Sequence, residues 1–272
     1  MTKHISNIKI AAVQMTSTLD YEKNLDLAEE LITQAANDGA KIIVLPEFFI
    51  RIGNSNDDYF KSLIEELGCG KIQERIKKIV TKNKIFLVAG TIPIKSAVAN
   101  RCYNTSVVFD PQGEIISHYH KIHLFKFHDP QLRRDESSIF TNGNKVVKFN
   151  IGDFSFGLAI CYDIRFPELF RKMAGVDAII VSAAFLHHTG KVHWETLLKA
   201  RAIENQCYII AANQGGVHEN GHHTFGHSMI INPWGHICKV LPTGSGFVSD
   251  IIDKNFIKNI RTQLPALEHM FI

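Results

Sequence analysis

Short apolar runs rich in β-branched residues alternate with amphipathic segments along almost the whole chain, and this alternation is the feature that most limits its fold. Such runs are typical of buried strands, whereas apolar residues three and four positions apart are typical of helices that pack on a sheet. The pattern predicts strands over residues 8–15, 41–45, 85–89, 103–109, 114–120, 146–150, 154–160, 177–182, 207–212, 227–231, 237–241 and 247–252. It predicts helices over residues 24–36, 57–67, 71–82 and 192–206, and a further helix that begins near Pro167.

This mixture predicts an α/β protein whose sheets are covered by helices on their faces. The chain has 272 residues, of which 45% are hydrophobic and 21% are charged, which is sufficient for a large core and excludes disordered, collagen-like and coiled-coil proteins. No linker, low-complexity segment or internal repeat interrupts the pattern. We therefore expect a single domain over residues 1–272.

Charge and cysteine content narrow the function classes. The formal net charge is only +3, without a long basic run, so we expect no nucleic-acid partner. The first apolar stretch, residues 8–13, is too short for a secretion signal or a membrane span, which indicates a cytoplasmic protein with no membrane partner. The five cysteines are scattered and form no Cys-x-x-Cys pair, so neither a disulfide framework nor a structural zinc site is indicated.

Cys161 is a candidate nucleophile because it follows the predicted strand 154–160 and precedes the helix near Pro167. At such a sharp turn, backbone N–H groups and the helix dipole are expected to lower the pKa of a thiol and to bind an oxyanion. The alternative is that Cys161 is a small buried hydrophobic residue, as cysteines commonly are.

Glu47 and Lys121 are candidates for acid–base and electrostatic roles. Glu47 follows Pro46 at the end of a buried strand, so its carboxylate should be partly desolvated and suited to act as a general base. Lys121 lies within an aromatic and apolar segment, and an inward lysine requires a carboxylate partner, which Glu136 could supply. The alternatives are a helix-capping or ion-paired Glu47 and a solvent-exposed Glu136.

The histidines could suggest a metal site, because His118 and His120 share one strand face and others cluster at residues 187–188 and 222–223. No His-Glu-x-x-His helix or aspartate-rich motif accompanies them. The glycine pairs match no phosphate-binding loop. We therefore expect neither a metal nor an organic cofactor.

Three segments together resemble the signatures of the nitrilase superfamily of carbon–nitrogen hydrolases: residues 45–48 (LPEF), 119–125 (YHKIHLF) and 159–168 (AICYDIRFPE). The resemblance covers nearly the whole chain. It implies a four-layer α-β-β-α sandwich, a catalytic triad of Glu47, Lys121 and Cys161, and Glu136 as a supporting carboxylate. It also implies an oxyanion bound by Lys121 and the backbone N–H of Tyr162, an amide substrate, no cofactor, and a homodimer or higher homo-oligomer.

Residues 189–195, 200–208, 214–219 and 226–235 are similar to the branch of that superfamily that contains deaminated glutathione amidases. This implies deaminated glutathione as substrate, with simpler ω-amides of α-keto acids, such as 2-oxoglutaramate, as the second choice. Arg165 is a candidate to bind the anionic part of the substrate; the alternative is a structural ion pair with Asp163 or Glu168. Lys126 and residues 127–134 depart from the family pattern, so we expect a different pocket rim.

Three rival interpretations stay open on the sequence. The histidines could bind the metal ion of a metal-dependent hydrolase, or the chain could be a non-catalytic binding protein with the same fold. A histidine could also replace Glu47 as the base for the thiol.

Overall fold

Two β-sheets lie face to face in this computed structural model, which describes residues 6–53, 58–128 and 133–271. The first sheet has the order β17 (Gly246–Asp253), β1 (Asn7–Gln14), β2 (Ile42–Val44), β3 (Phe86–Val88), β5 (Cys102–Phe109) and β4 (Ile92–Lys95), and β6 (Ile115–His120) also pairs with β5. The second has the order β16 (Ile237–Leu241), β15 (Ser228–Ile231), β12 (Tyr208–Asn213), β11 (Ala178–Ala183), β10 (Phe154–Ile160) and β9 (Lys148–Ile151).

Two short hairpins and six helices complete the described part of the chain. The hairpins are β7 (Lys126–His128) with β8 (Arg133–Asp135), and β13 (Gly215–Val217) with β14 (His223–Phe225). The helices are α1 (Tyr21–Asn37), α2 (Asp58–Lys61), α3 (Lys71–Asn83), α4 (Pro167–Lys172), α5 (His187–Asn205) and α6 (Lys254–Gln263). No helix among the described residues is both long and apolar enough to cross a membrane.

The side chains of β1 show why four layers form. Ile10 and Ala12 belong to the core between the sheets, together with residues of β10, β11 and β12. Ala11 and Val13 point the other way and pack with residues of α1 and α3. Successive residues of a strand face opposite sides, so a strand that is apolar on both faces must be covered on both. The predicted α-β-β-α sandwich is therefore confirmed.

The structure corrects the helix predicted over residues 57–67; residue 57 itself lies outside the described residues. Only the single turn α2 forms, because Glu65 is extended: its N–H donates to the Pro93 carbonyl at 3.1 Å and its carbonyl accepts from the Lys95 N–H at 2.8 Å. Its carboxylate caps α3, accepting the Ile72 N–H at 2.7 Å. Strand β4 was missed because Pro93 argues against a strand, which an edge position tolerates.

One helix boundary and one further helix also differ from the prediction. Helix α5 begins at His187 rather than at residue 192, and α6 was not predicted at all. Helix α6 begins after Asp253, whose side chain accepts the N–H of Asn255, so the start signal was present in the sequence. Only Ile257 and Ile260 of α6 are buried, which left too short an apolar pattern to recognise.

Candidate active site

The candidate site lies where strands of both sheets end. Glu47 follows β2, Cys161 follows β10, Ala184 follows β11 and Gln214 follows β12. Strands β10, β11 and β12 are parallel, so their carboxyl ends meet at one edge, which is where ligand sites of parallel sheets collect. Lys121 reaches the same place from the end of the antiparallel strand β6.

Glu47 is bound by groups from both sheets and is only 1% exposed. Its Oε1 accepts hydrogen bonds from Lys121 Nζ and Asn104 Nδ2, each at 2.8 Å. Its Oε2 accepts the backbone N–H of Ala184 at 3.0 Å. Gln214 Nε2 donates to the Glu47 carbonyl at 3.1 Å. The carboxylate is thus held in one orientation by three hydrogen bonds, two to Oε1 and one to Oε2, of the roughly four that it can accept.

Lys121 is completely buried between two carboxylates, as the sequence indicated. Its Nζ lies 2.8 Å from Glu47 Oε1, and 3.0 Å and 2.9 Å from the two oxygens of Glu136. Glu136 begins a one-turn 3-10 helix, Glu136–Ser138, and also accepts the N–H of Phe125 at 2.8 Å. Glu136 is therefore not the solvent-exposed residue of the alternative interpretation.

The charges of this cluster are mutually dependent. Burial alone would lower the pKa of Lys121, but the negative charges of Glu136 and Glu47 outweigh it and hold that pKa well above its ordinary value. Burial raises the pKa of Glu136; Lys121 opposes this effect and Glu47 adds to it. A single ammonium ion therefore faces two acidic groups, and it offsets one of their two negative charges.

Cys161 is the first residue of a second 3-10 helix, Cys161–Arg165, and has a backbone φ of +46°. Residues other than glycine seldom adopt this left-handed conformation, and it persists only where the surrounding structure enforces it. The sharp strand-to-helix turn predicted for this cysteine is present, and its side chain is 8% exposed, at the wall of a cavity.

Asp163 ties this turn to the segment that carries Lys121. Its buried carboxylate accepts hydrogen bonds from the Ile160 N–H at 2.9 Å, the Tyr119 hydroxyl at 2.8 Å and the His123 N–H at 3.1 Å, and it lies 2.7 Å from His123 Nδ1. The sequence suggests only one role for Asp163, as a possible ion-pair partner of Arg165. Tyr119 and His123 could not be inferred as its partners because they lie 44 and 40 positions away in the chain.

The expected lowering of the Cys161 thiol pKa is wrong. Burial raises this pKa well above its ordinary value, the negative charge of Glu47 raises it further, and Glu136 acts in the same direction, while Lys121 opposes them. The helix that follows has only five residues. Its weak dipole cannot outweigh desolvation and two neighbouring carboxylates, so the thiol is neutral in the free protein.

We therefore expect the Cys161 thiol to stay protonated beyond the ordinary pKa of 9.0. Deprotonation would place a third negative charge beside two carboxylates, which is why the titration shifts to higher pH. The thiolate absorbance of the native protein minus that of Cys161→Ser, followed through a pH titration, should show no step below that value. The exposed Cys69 is present in both proteins and cancels. A step near neutral pH would contradict this expectation.

The cavity at Cys161 comprises about 380 Å³ of space between its lining atoms, part of which is open to solvent. Aromatic and polar side chains share its wall: Glu47, Phe48, Phe125, Glu136, Tyr162, Arg165, Phe185, Leu186 and Thr189 are among the lining residues. Among the described residues that line it there is no histidine, so the cavity gives no support to a histidine base. The ring of Tyr162, the residue proposed for the oxyanion on its backbone N–H, packs edge-on against Phe125.

Arg165 points into this cavity and does not form the structural ion pair of the alternative interpretation. Within the described residues, no carboxylate lies within 4.0 Å of its guanidinium, and neither Asp163 nor Glu168 contacts it. Its Nη1 lies 3.3 Å from Nδ1 of His193. The guanidinium also lies 5.2 Å from the ring centre of Phe185.

Lys126, which departs from the family pattern, directly follows Phe125, a residue of the cavity wall. It faces Asp135 across the β7–β8 pair, with Nζ 2.9 Å from the carboxylate. The two ends of this hairpin continue directly into Phe125 and Glu136, which both line the cavity. The remainder of the unusual segment, residues 129–132, lies outside the described residues.

The histidines have other partners in the structure. His120 stacks on Tyr103 and hydrogen-bonds Thr105 Oγ1 at 2.8 Å, and burial lowers its pKa to about 4. His187 stacks on His223 with ring centres 3.8 Å apart. In the part of the chain that the structure describes, no three His, Cys, Asp or Glu side chains converge as a metal-binding group.

Comparisons with known sequences indicate the family of this chain. A family model described as carbon–nitrogen hydrolase matches residues 9–261. The chain is 38% identical to a deaminated glutathione amidase of Synechocystis over 265 residues, which cover 95% of this chain and 96% of that protein. It is 36% identical to a deaminated glutathione amidase of Dictyostelium discoideum, covering 96% of this chain and 93% of that protein.

Solved structures show the same fold. The NitFhit protein of C. elegans superimposes with a TM-score of 0.89 at 34% identity over 97% of this chain, which spans 65% of that longer protein. Nit3 of Saccharomyces cerevisiae, a member of branch 10 of the nitrilase superfamily, superimposes with a TM-score of 0.86 at 31% identity. The match covers 96% of this chain and 95% of Nit3. An amidase mutant of Nesterenkonia, in which acrylamide has added to the active-site cysteine, superimposes with a TM-score of 0.78 at 25% identity. The match covers 95% of this chain and 98% of that protein. The chain belongs to the carbon–nitrogen hydrolase family.

Proposed function

We propose that this protein is an amidase that cleaves a carboxamide C–N bond through a thioester on Cys161, and that its substrate is deaminated glutathione. One observation supports the chemistry above all others: Glu47 and Cys161 line a single cavity, and Lys121 contacts Glu47 directly at 2.8 Å. The thiol and the carboxylate at this cavity supply a nucleophile and a base, and the ammonium group hydrogen-bonded to the carboxylate supplies an oxyanion partner.

The first half-reaction begins with a neutral thiol. Glu47 takes the proton from Sγ as sulfur forms a bond to the amide carbon, and the carbonyl π electrons move to oxygen. The resulting oxyanion is stabilised by Lys121 Nζ and the backbone N–H of Tyr162. When the tetrahedral intermediate collapses, the C–N bond breaks, Glu47 returns the proton to nitrogen, and the amine or ammonia leaves a thioester.

The second half-reaction uses the same carboxylate. Glu47 removes a proton from water as its oxygen attacks the thioester carbon, and the C–S bond then breaks while the proton passes to sulfur. The carboxylic acid is released and the thiol is restored. The raised pKa of the Cys161 thiol favours its protonated form between turnovers, and Lys121 offsets one of the two negative charges of Glu47 and Glu136.

The substrate assignment is supported by Arg165 and by the relatives. Deaminated glutathione is a γ-amide whose acyl group ends in an α-keto carboxylate and whose amine is Cys-Gly. Arg165 is a cation on the cavity wall without a carboxylate partner among the described residues, and it can bind that carboxylate in the bidentate mode. 2-Oxoglutaramate has the same acyl group and ammonia as leaving group, which makes it the second candidate.

The test is hydrolysis of a panel that contains deaminated glutathione, 2-oxoglutaramate, glutamine and a nitrile, followed by amine or ammonia release and by the mass of the protein. We expect deaminated glutathione to exceed glutamine in kcat/KM at least roughly tenfold, because glutamine carries a positive amino group beside its carboxylate. An acyl adduct should map to Cys161.

Two controls separate this proposal from its rivals. Cys161→Ala should abolish turnover, whereas Cys69→Ala, which removes an exposed thiol, should retain it. Activity that survives in Cys161→Ala, or that is lost on chelation, would favour a metal-dependent hydrolase instead. The homo-oligomer and the cytoplasmic location stay predictions, and sedimentation of the purified protein tests the former.

A further inference from the structure

Arg165 has an unusual set of neighbours for a cation at the wall of a cavity. Its guanidinium faces the rings of Phe185 and Tyr162 at 5.2 and 5.8 Å. Its one polar side-chain contact among the described residues is Nδ1 of His193, 3.3 Å from Nη1. A buried or cleft arginine commonly has a carboxylate partner, and here an imidazole takes that position.

The contact determines the state of the histidine. Arginine has only donors, so His193 Nδ1 must be the acceptor and must lack a proton, with the proton on Nε2. A neutral imidazole orients the guanidinium without neutralising it. A carboxylate in its place would both cancel the positive charge and repel an anionic substrate.

Helix α5 is held so that it presents His193 to Arg165. An added Cβ at Gly190 would lie 2.5 Å from the Phe225 side chain, so the hairpin β13–β14 approaches this helix as closely as only glycine allows. Trp194, fully buried, donates its Nε1–H to the carbonyl of His227 at 3.0 Å. The residues on both sides of His193 therefore set the rotation of α5.

We propose that His193 is a positioning residue that orients Arg165 as an uncompensated cation, and that this pair selects amides whose acyl group ends in a carboxylate. The inference rests on the proposed amidase function and on Arg165 as its anion contact. It predicts that loss of the imidazole acceptor weakens recognition of the carboxylate rather than the chemistry at Cys161.

The experiment compares two amides of equal length, glutaramate and pentanamide, which differ in a terminal carboxylate against a methyl group. The readout is the ratio of their kcat/KM values. His193→Phe keeps a flat ring without an acceptor, and we expect it to lower the ratio about tenfold, the effect of losing one charge-assisted hydrogen bond. His193→Asn retains an acceptor oxygen near the position of Nδ1 and should keep the ratio close to that of the native protein.

A double-mutant cycle shows whether His193 acts through Arg165. In an Arg165→Gln background, His193→Phe should cause no further change in the ratio. An equal loss in both backgrounds, or an Asn variant as impaired as the Phe variant, would overturn the proposal. If the native protein hydrolyses both amides equally well, the amidase function stands and this inference fails. If it hydrolyses no amide of either set, the proposed function itself fails.

Discussion

Replacing Glu47 with glutamine is expected to slow amide hydrolysis roughly 10²- to 10⁴-fold, the contribution typical of a general acid–base group. Glutamine has nearly the same shape and can still accept from Lys121 and Asn104, but it cannot take the thiol proton. This transfer matters because burial and the neighbouring carboxylates raise the pKa of the Cys161 thiol and so disfavour a thiolate formed beforehand. The measurement is kcat on the amide panel, together with the unfolding midpoint to show that the variant folds.

Glu136→Gln is the matched control for this variant. It makes the same change in the other carboxylate that contacts Lys121, but Glu136 has no proton-transfer role in the proposed mechanism. We expect a loss of only about tenfold, from the altered charge around Lys121. Equal losses in the two variants would show that the charge of the cluster matters and that Glu47 is not the base. Turnover of Glu47→Gln close to that of the native protein would point to a different base altogether.

Lys121→Met is expected to damage both catalysis and folding. It removes the oxyanion contact, which is typically worth a factor of about 10² to 10³ in kcat. It also leaves Glu47 and Glu136 buried without their common ammonium partner. Removal of one partner from a buried ion pair costs about 3–5 kcal/mol, so we expect a loss of that size in the free energy of unfolding at neutral pH.

The loss of stability should depend on pH with a definite sign. Without Lys121 the pKa of one carboxyl in the folded protein rises, so the folded state binds a proton that the unfolded state binds only at lower pH. The free energy of unfolding of the variant then increases as the pH falls toward the pKa that this carboxyl has in the unfolded state. Denaturant unfolding of both proteins should show a smaller difference at about pH 5 than at about pH 7.5.

A double variant separates the two effects of Lys121→Met. Adding Glu136→Gln removes one of the facing carboxylates, so the double variant Lys121→Met/Glu136→Gln should regain part of the stability. It should regain no activity, because the oxyanion contact is still absent. A stability difference that does not change with pH, or a double variant that regains turnover, would contradict the role given to the ammonium group.

The identity of the site residues was accessible from local sequence, but their supporting contacts were not. Asn104 and the Ala184 N–H hold Glu47 from positions 57 and 137 residues away. Asn104 is one of several short polar residues on β5, and nothing in the local sequence distinguishes it from the others. The Ala184 donor is a backbone N–H, which does not depend on the type of residue. His193 lies in the segment 189–195 that resembles the amidase branch, yet only the packing of α5 shows that it contacts Arg165.

The alternation of apolar runs and helical segments established the layered α/β fold, because the period of burial along each segment is a local property of the chain. The three motifs likewise identified Glu47, Lys121 and Cys161 as the residues to examine. The ionisation of these groups was decided by the folded structure alone. A pKa depends on burial and on charges within a few ångströms, and the neutral Cys161 thiol results from neighbours that are distant in sequence.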